Sequence, residues 1–368
     1  MYCAGKSGVN KEKGEKKMKK ILAMLLVLSI MLVGVAAIAE TGRIGVAMPT
    51  KSSERWIHDG DKVKAALEEL GYEVDLQYAE DHIDVQANQI QNMLLKGVDA
   101  LIIASVDGSS LSNELKMAKE SGVVVIAYDR LLTKTPDVDY YATFDSIAIG
   151  EQQATSLLTG LGVLDGATGP FNVELFAGSL DDSCTPLYYE GSMNILQPYI
   201  DSGVIVIPSG QTDMAQIAIE GWDGLKAQAR MDNLISAFYS DGTVLDGVLA
   251  PYDGLSIGIL SACKSAGYGT ADLPLPKVTG QDCEVTSIKS MIAGEQYSSI
   301  YNNTTNLAEV AVKLTTQALN GEEVEVNSVY NNEVFDVPSM AISASIITID
   351  NYKEELIDSG YIAAEDLQ

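Results

Sequence analysis

The chain is poor in the residues that carry out covalent, redox and metal chemistry. Only two histidines, His58 and His82, occur among its 368 residues. Two imidazoles do not make a histidine-rich zinc site, and both read as surface residues beside helices. Of the four cysteines, Cys3 lies in a lysine-rich leader. That leaves Cys184, Cys263 and Cys283, an odd number that argues against a disulfide framework. At most one bridge can form, and three buried thiols fit the sequence equally well. Basic residues are also scarce, with 24 Lys and Arg against 51 Asp and Glu and a net charge of −27. Seven of the bases but only two of the acids precede Glu40, so the remainder carries about −32. Such a surface repels phosphate backbones and anionic headgroups. Nucleic acid is excluded as a partner, and a strongly anionic ligand is disfavoured. No nucleophile elbow, metal motif or phosphate loop is present, and the sequence calls for no cofactor and no metal.

What is present begins with an export signal. Lys19-Lys20 precede an uncharged run from Ile21 to Ala39 that ends Ala37-Ile38-Ala39 before Glu40. A positive start, an apolar middle and a small-x-small ending describe a secretory signal peptide, cleaved after Ala39. Met18 is the expected start. The run is also just long enough to span a bilayer, so a retained anchor over 21–39 stays open. No cysteine adjoins the cleavage point, which removes the usual lipoprotein anchor. The rest of the chain is expected outside the cytoplasm, periplasmic or extracytoplasmic, where ATP-requiring enzymes and transcription factors have no place.

The length after Ala39 suits about two domains, and a hydrophobic share of 46% is ample for packed cores. Strand-like runs at 43–48, 72–78, 99–105, 123–128 and 140–144 alternate with helical patterns at 54–70, 83–96 and 109–121. Each of these helices ends at a glycine, Gly71, Gly97 or Gly122. Ala100-Leu101-Ile102-Ile103-Ala104 reads as a parallel strand covered on both faces. The alternation restarts after a long helix at 146–161, with strands at 171–177, 203–208, 246–250 and 277–280. The fold class is α/β, two units in tandem, each with a mostly parallel sheet. A helix over 305–320 and a strand-like stretch in 302–337 are expected to return to the first unit.

In open parallel sheets, ligands bind outside the carboxyl ends of the strands. Here those ends carry Arg55 and Trp56, then Asp107, Asp129-Arg130, Asp181-Asp182, Asp253 and Asp282. Five of six deliver an aspartate and two an arginine. Carboxylates accept hydrogen bonds and arginine donates several in a fixed fork. Together they suit a neutral ligand covered in hydroxyls, through charge-assisted bonds. Trp56 and Trp222, the only tryptophans, offer flat faces for a sugar ring. Each residue also has an ordinary role: an Asp after a strand is often a turn or cap, Asp129-Arg130 suits an ion pair, and either tryptophan suits the core.

At these positions the chain resembles the periplasmic sugar-binding proteins of ABC transporters with the type I fold, near the multiple-sugar-binding receptors and xylose-binding proteins. The resemblance covers residues 42–368. It rests on Glu54-Arg55-Trp56, Ile102–Gly108, Ile126–Arg130, Tyr140–Asp145, Leu196–Gly203, Gln228–Asn233, Pro251–Gly258 and Gly280-Gln281-Asp282. It implies two Rossmann-like lobes, 42–147 plus 303–337 and 148–302 plus 338–368, joined by a three-crossover hinge and closing over one monosaccharide. It also implies delivery to an ABC permease of the inner membrane, and in some members recognition by a chemoreceptor or sensor kinase. The protein itself is expected to be a monomer. The implied sugar ligands are Arg55, Asp129, Arg130, Asp182, Trp222, Asp253 and Asp282, with Asn302 at the hinge and Trp56, Asp107 and Cys184 as further contacts. Two departures stand out. The family's Asp-Asn-Asn becomes Asp182-Ser183-Cys184, and the hinge lysine of xylose-binding relatives becomes Asn302.

Two rivals share parts of this pattern. An exported glycosidase needs two carboxyls about 5–10 Å apart; the aspartates supply candidates, but pairing with arginine would keep them ionised and unfit for acid catalysis. A lactose-repressor-type regulator needs a basic helix-turn-helix before the first lobe, where the export signal stands instead.

Overall fold

The computed structural model describes residues 42–368. The leader, the signal over 21–39 and its cleavage point lie outside the described residues. From Gly42 onward the chain forms a compact unit.

Strands β1 (Arg43–Met48), β2 (Glu73–Tyr78), β3 (Ala100–Ile103), β4 (Val124–Tyr128) and β5 (Tyr140–Phe144) alternate with helices α1 (Glu54–Glu69), α2 (Ile83–Leu95) and α3 (Ser112–Glu120). All four residues of β3 are buried, because helices cover both faces of a parallel sheet. After α4 (Ser146–Gly160) the pattern repeats with β6 (Phe171–Leu175), α5 (Thr185–Asp201), β7 (Ile205–Val206), α6 (Gly224–Phe238), β8 (Gly247–Leu249), α7 (Asp253–Ser265), β9 (Lys277–Val278), α8 (Val285–Ile292) and β10 (Ser298–Tyr301). The chain closes with α9 (Thr304–Asn320), β11 (Ser328–Asn331), β12 (Asp336–Ile342) and β13 (Ser345–Thr348).

The first sheet has the order β11-β12-β5-β4-β3-β1-β2 and is parallel except for the β11–β12 hairpin. The second has the order β7-β6-β8-β9 and is wholly parallel. An antiparallel β10–β13 pair adjoins it through a parallel bridge between Gln281 and Ile300. The chain passes between the two sheets three times, at Asp145, at Asn302-Asn303 and at 343–344.

The last passage is later than the sequence suggests. β12 lies parallel to β5 in the first sheet, from Ser339 beside Tyr141 to Ile342 beside Phe144. The expected boundary after 337 therefore cuts a strand. Pro338 obscures it, since a proline inside a run argues against a strand. The first passage, at Asp145, is likewise two residues earlier than expected.

Burial assigns the helices. Leu307, Ala308 and Ala311 of α9 join Ile44, Val46, Ile102 and Ile126 in one core. Ala154, Leu157 and Leu158 of α4 join Val173 and Leu175 of the second sheet. Each leucine, isoleucine or valine among them fully removed from water contributes about 1.5–3 kcal/mol. The strand ends of both sheets thus face a common cleft.

Candidate functional site

The cleft holds a cavity of about 710 Å³, within the range that small-molecule sites occupy. From the first sheet, Arg55 enters at the start of α1, and Asp129-Arg130 follow β4 directly. From the second come Asp182, ahead of α5, Trp222, ahead of α6, and Gln281-Asp282, beyond β9.

Three of these residues hold a left-handed backbone: Asp129 at φ 60°, Trp222 at φ 54° and Asp282 at φ 89°. Non-glycine residues rarely adopt it, and the cost is about 1–3 kcal/mol each. Backbone hydrogen bonds hold the two aspartates there. The Asp129 N–H donates to Ala142 O at 2.7 Å, and the Asp282 N–H to Ile300 O at 2.8 Å. Gly178 makes room for Trp222, since a Cβ at that glycine would lie 2.1 Å from the indole ring.

Arg55 is the hub of the inner wall. Its Nε donates to Asp59 at 3.0 Å, a second nitrogen bonds Asp129, and a third lies 3.8 Å from Asp282 across the cleft. Burial opposes its charge, but the carboxylates of Asp129, Asp59 and Asp282 outweigh burial and hold its pKa well above the usual value. Arg130 is pinned by a 3.0 Å bond to Ser105 O. Its Nε lies 2.9 Å from Asp182 of the opposite half. That contact has ion-pair length but poor alignment, so the Nε–H makes no hydrogen bond within the protein. Asp182 also accepts from the Trp222 indole N–H at 3.2 Å. Trp222 stands edge-on to Tyr252, with ring centroids 6.0 Å apart.

Burial raises the pKa of Asp182 and of Asp282, and Arg130 and Arg55 respectively pull them back only in part. Pairing with arginine therefore offsets burial only in part at these two carboxyls. Burial also lifts Asp59 to about 7, against the pull of Arg55 and of the Tyr128 hydroxyl.

The periplasmic binding protein domain model matches residues 44–323. The chain belongs to that family. This binding protein is 48% identical over 356 residues to the multiple sugar-binding periplasmic receptor ChvE of Rhizobium radiobacter, covering 95% of this chain and 100% of the relative. It is 33% identical to the D-xylose-binding periplasmic protein of Escherichia coli, over 94% of this chain and 98% of the relative. A solved ABC transporter solute-binding protein from Clostridium phytofermentans, with bound β-D-glucose, superposes with a TM-score of 0.85 at 41% identity. That match covers 89% of this chain and 100% of the other. The fold is the type I binding-protein fold, and the family is one of receptors rather than enzymes.

The binding protein gathers Arg55, Trp56, Asp129, Arg130, Asp182, Trp222 and Asp282 around the cavity. Trp56 is only 5% exposed. Its ring lies 4.6 Å from the Arg55 guanidinium and 5.1 Å from that of Arg130, so it supports both arginines.

Four expected contacts lie elsewhere. Asp253 is fully buried, and its oxygens are taken by Gln296 at 2.8 Å, Ser299 at 2.9 Å and the Glu284 N–H at 2.9 Å. It braces the 282–284 turn from behind instead of lining the cavity. Gly280 permits this, because a Cβ there would meet Asp253 at 2.0 Å. Asp107 forms a turn, accepting from Ser109 N–H at 2.7 Å. Asn302 is fully buried and donates to Asp282 at 3.0 Å. Cys184 donates its thiol to Asp129 O at 3.2 Å, and burial raises its pKa. Cys184, Cys263 and Cys283 are all free and buried.

Glu284 was not among the expected residues, yet it lines the cavity. Its Oε1 accepts from Tyr252 at 2.8 Å and, across the cleft, from Ser53 at 3.2 Å. Asp282 and Cys283 are both left-handed, and this double turn carries the chain two residues past the expected ligand and still along the wall. Extending the strand-end rule by two residues would have found Glu284.

Proposed function

We propose that the chain is an extracytoplasmic receptor that captures one aldopentose or aldohexose, of the class of xylose, glucose, galactose or arabinose, in the cleft and delivers it to an ABC permease of the inner membrane. The observation that carries this is the pair of arginine–carboxylate contacts spanning the cleft, Arg130 with Asp182 and Arg55 with Asp282. Such groups donate and accept at once, as a ring of hydroxyls requires. Arg55, Asp129, Arg130, Asp182, Trp222 and Asp282 are the proposed sugar contacts, and Asp253, Asn302 and Cys184 hold them in place. The glucose carried by the Clostridium phytofermentans protein and the sugar and xylose names of the relatives support the ligand class.

Closure about the three passages is the proposed hinge motion, driven by contacts that only the closed form makes. The permease, and a chemoreceptor or sensor kinase, would read that closed form. The protein would act as a monomer, freed into a periplasm-like space by cleavage after Ala39. A thermal-shift panel of pentoses and hexoses tests the proposal. At about a hundredfold excess over Kd a bound sugar adds about 2.7 kcal/mol, which raises Tm. A panel in which no sugar shifts Tm, or steady release of nitrophenol from nitrophenyl glycosides, would overturn it.

A further inference from the structure

The cavity's charges are arranged in a way that the sugar reading leaves unused. Among the described residues, its lining holds three cations, Arg55, Arg130 and Lys226. Each already faces a carboxylate of the protein: Arg55 has Asp59 and Asp129, Arg130 has Asp182, and Lys226 Nζ lies 2.6 Å from Glu220. Glu284, by contrast, forms no ion pair among the described residues, and its carboxyl accepts from the hydroxyls of Tyr252 and Ser53. At the hinge, Asn302 offers an amide and no charge.

Resting on the monosaccharide reading, we propose that this cleft discriminates by charge, admitting neutral sugars and rejecting their uronic acids, with Glu284 as the specificity-determining residue. A ligand carboxylate in the closed cleft would be stripped of water without gaining a counterion, and a buried unpaired charge is costly. Glu284 adds like-charge repulsion. A neutral pyranose meets neither obstacle, because its hydroxyls donate to the same carboxylates.

Protonation supplies a second handle. Burial lifts the Glu284 carboxyl to about 7, offset by the hydroxyls of Tyr252 and Ser53 and reinforced by Asp282 and Glu54. The groups around it are Glu54, Arg55 and His58 of α1, Tyr252 and Asp253 at the start of α7, its neighbours Asp282 and Cys283, and Tyr361 near the chain's end. Near pH 5 Glu284 is neutral while a uronate is still largely ionised, so the repulsion falls.

The test is calorimetry of D-glucose against D-glucuronate and D-galactose against D-galacturonate, at pH 8 and pH 5, on the full protein and on Glu284→Gln. The expected result is a uronate at least a hundredfold weaker than its neutral parent at pH 8. That ratio should narrow severalfold at pH 5 and in Glu284→Gln, with the variant's Tm reporting that it is folded. A uronate within threefold of its parent at pH 8 overturns the proposal while leaving the sugar reading intact. A wide ratio that neither acid nor the substitution narrows overturns the role of Glu284. Absence of binding by every neutral sugar overturns both.

Discussion

Arg130 shows at a single residue how binding and stability are coupled. It is 8% exposed, pinned to Ser105 O, and reaches Asp182 of the other half. Its Nε–H, unused within the protein, is a donor that a sugar hydroxyl can take. Removing it strands the Asp182 carboxyl, and breaking a buried pair costs about 3–5 kcal/mol. Arg130→Ala should weaken sugar binding by about a hundredfold or more, equivalent to about 2.7 kcal/mol, with Asp182 protonated more readily. Titration calorimetry checks this, and unchanged affinity would count against the site. The same residues show what the sequence could and could not convey. Arg55, Asp129, Arg130, Asp182 and Asp282 were legible because each follows a strand end. Asp253 follows one too, but whether a carboxylate faces the cleft or the turn behind it depends on Gln296 and Ser299, which lie far along the chain. No local pattern records that choice.

At the scale of the element, the site depends on strand ends that turn sharply. The left-handed Asp129, Trp222 and Asp282 aim side chains that an ordinary backbone would direct elsewhere, and Gly178 leaves space for the indole. Gly178→Ala should push Trp222 off Asp182, lower sugar affinity about tenfold or more, and shift the tryptophan emission. A variant with native fluorescence and affinity would show that the close approach does not matter. Most elements were readable from alternation and terminal glycines. The short strands β10, β12 and β13 were not, because Ser298-Ser299 and Pro338 carry weak strand signals and their pairing is set by the returning chain.

Across the whole molecule, buried acids give stability a pH dependence of predictable sign. Burial raises Asp59 and Glu284 to about 7, and raises Asp182, Asp253 and Asp282 as well. Each holds its proton more tightly folded than unfolded. The stability from this source is therefore complete below the ordinary carboxyl range and is lost as pH rises towards about 7. Glu73, Asp75, Glu220, Asp241 and Glu325 shift the opposite way. They lie near the surface, where screening keeps their effect small, and they act at lower pH. The Tm of the sugar-free protein should fall between pH 5 and pH 8, and Asp59→Asn should flatten the fall. A Tm that rises over that interval would contradict the assignment. The net charge of −27 acts in the same direction, since acid relieves its self-repulsion.

The two halves, the three passages and the paired arginines all point to one sugar held between the sheets. Isothermal titration of the purified protein with D-glucose and D-xylose tests this most directly. One sugar per chain at micromolar affinity or tighter, for at least one of the two, is the predicted result. No heat with either sugar, or a stoichiometry above one, would contradict it.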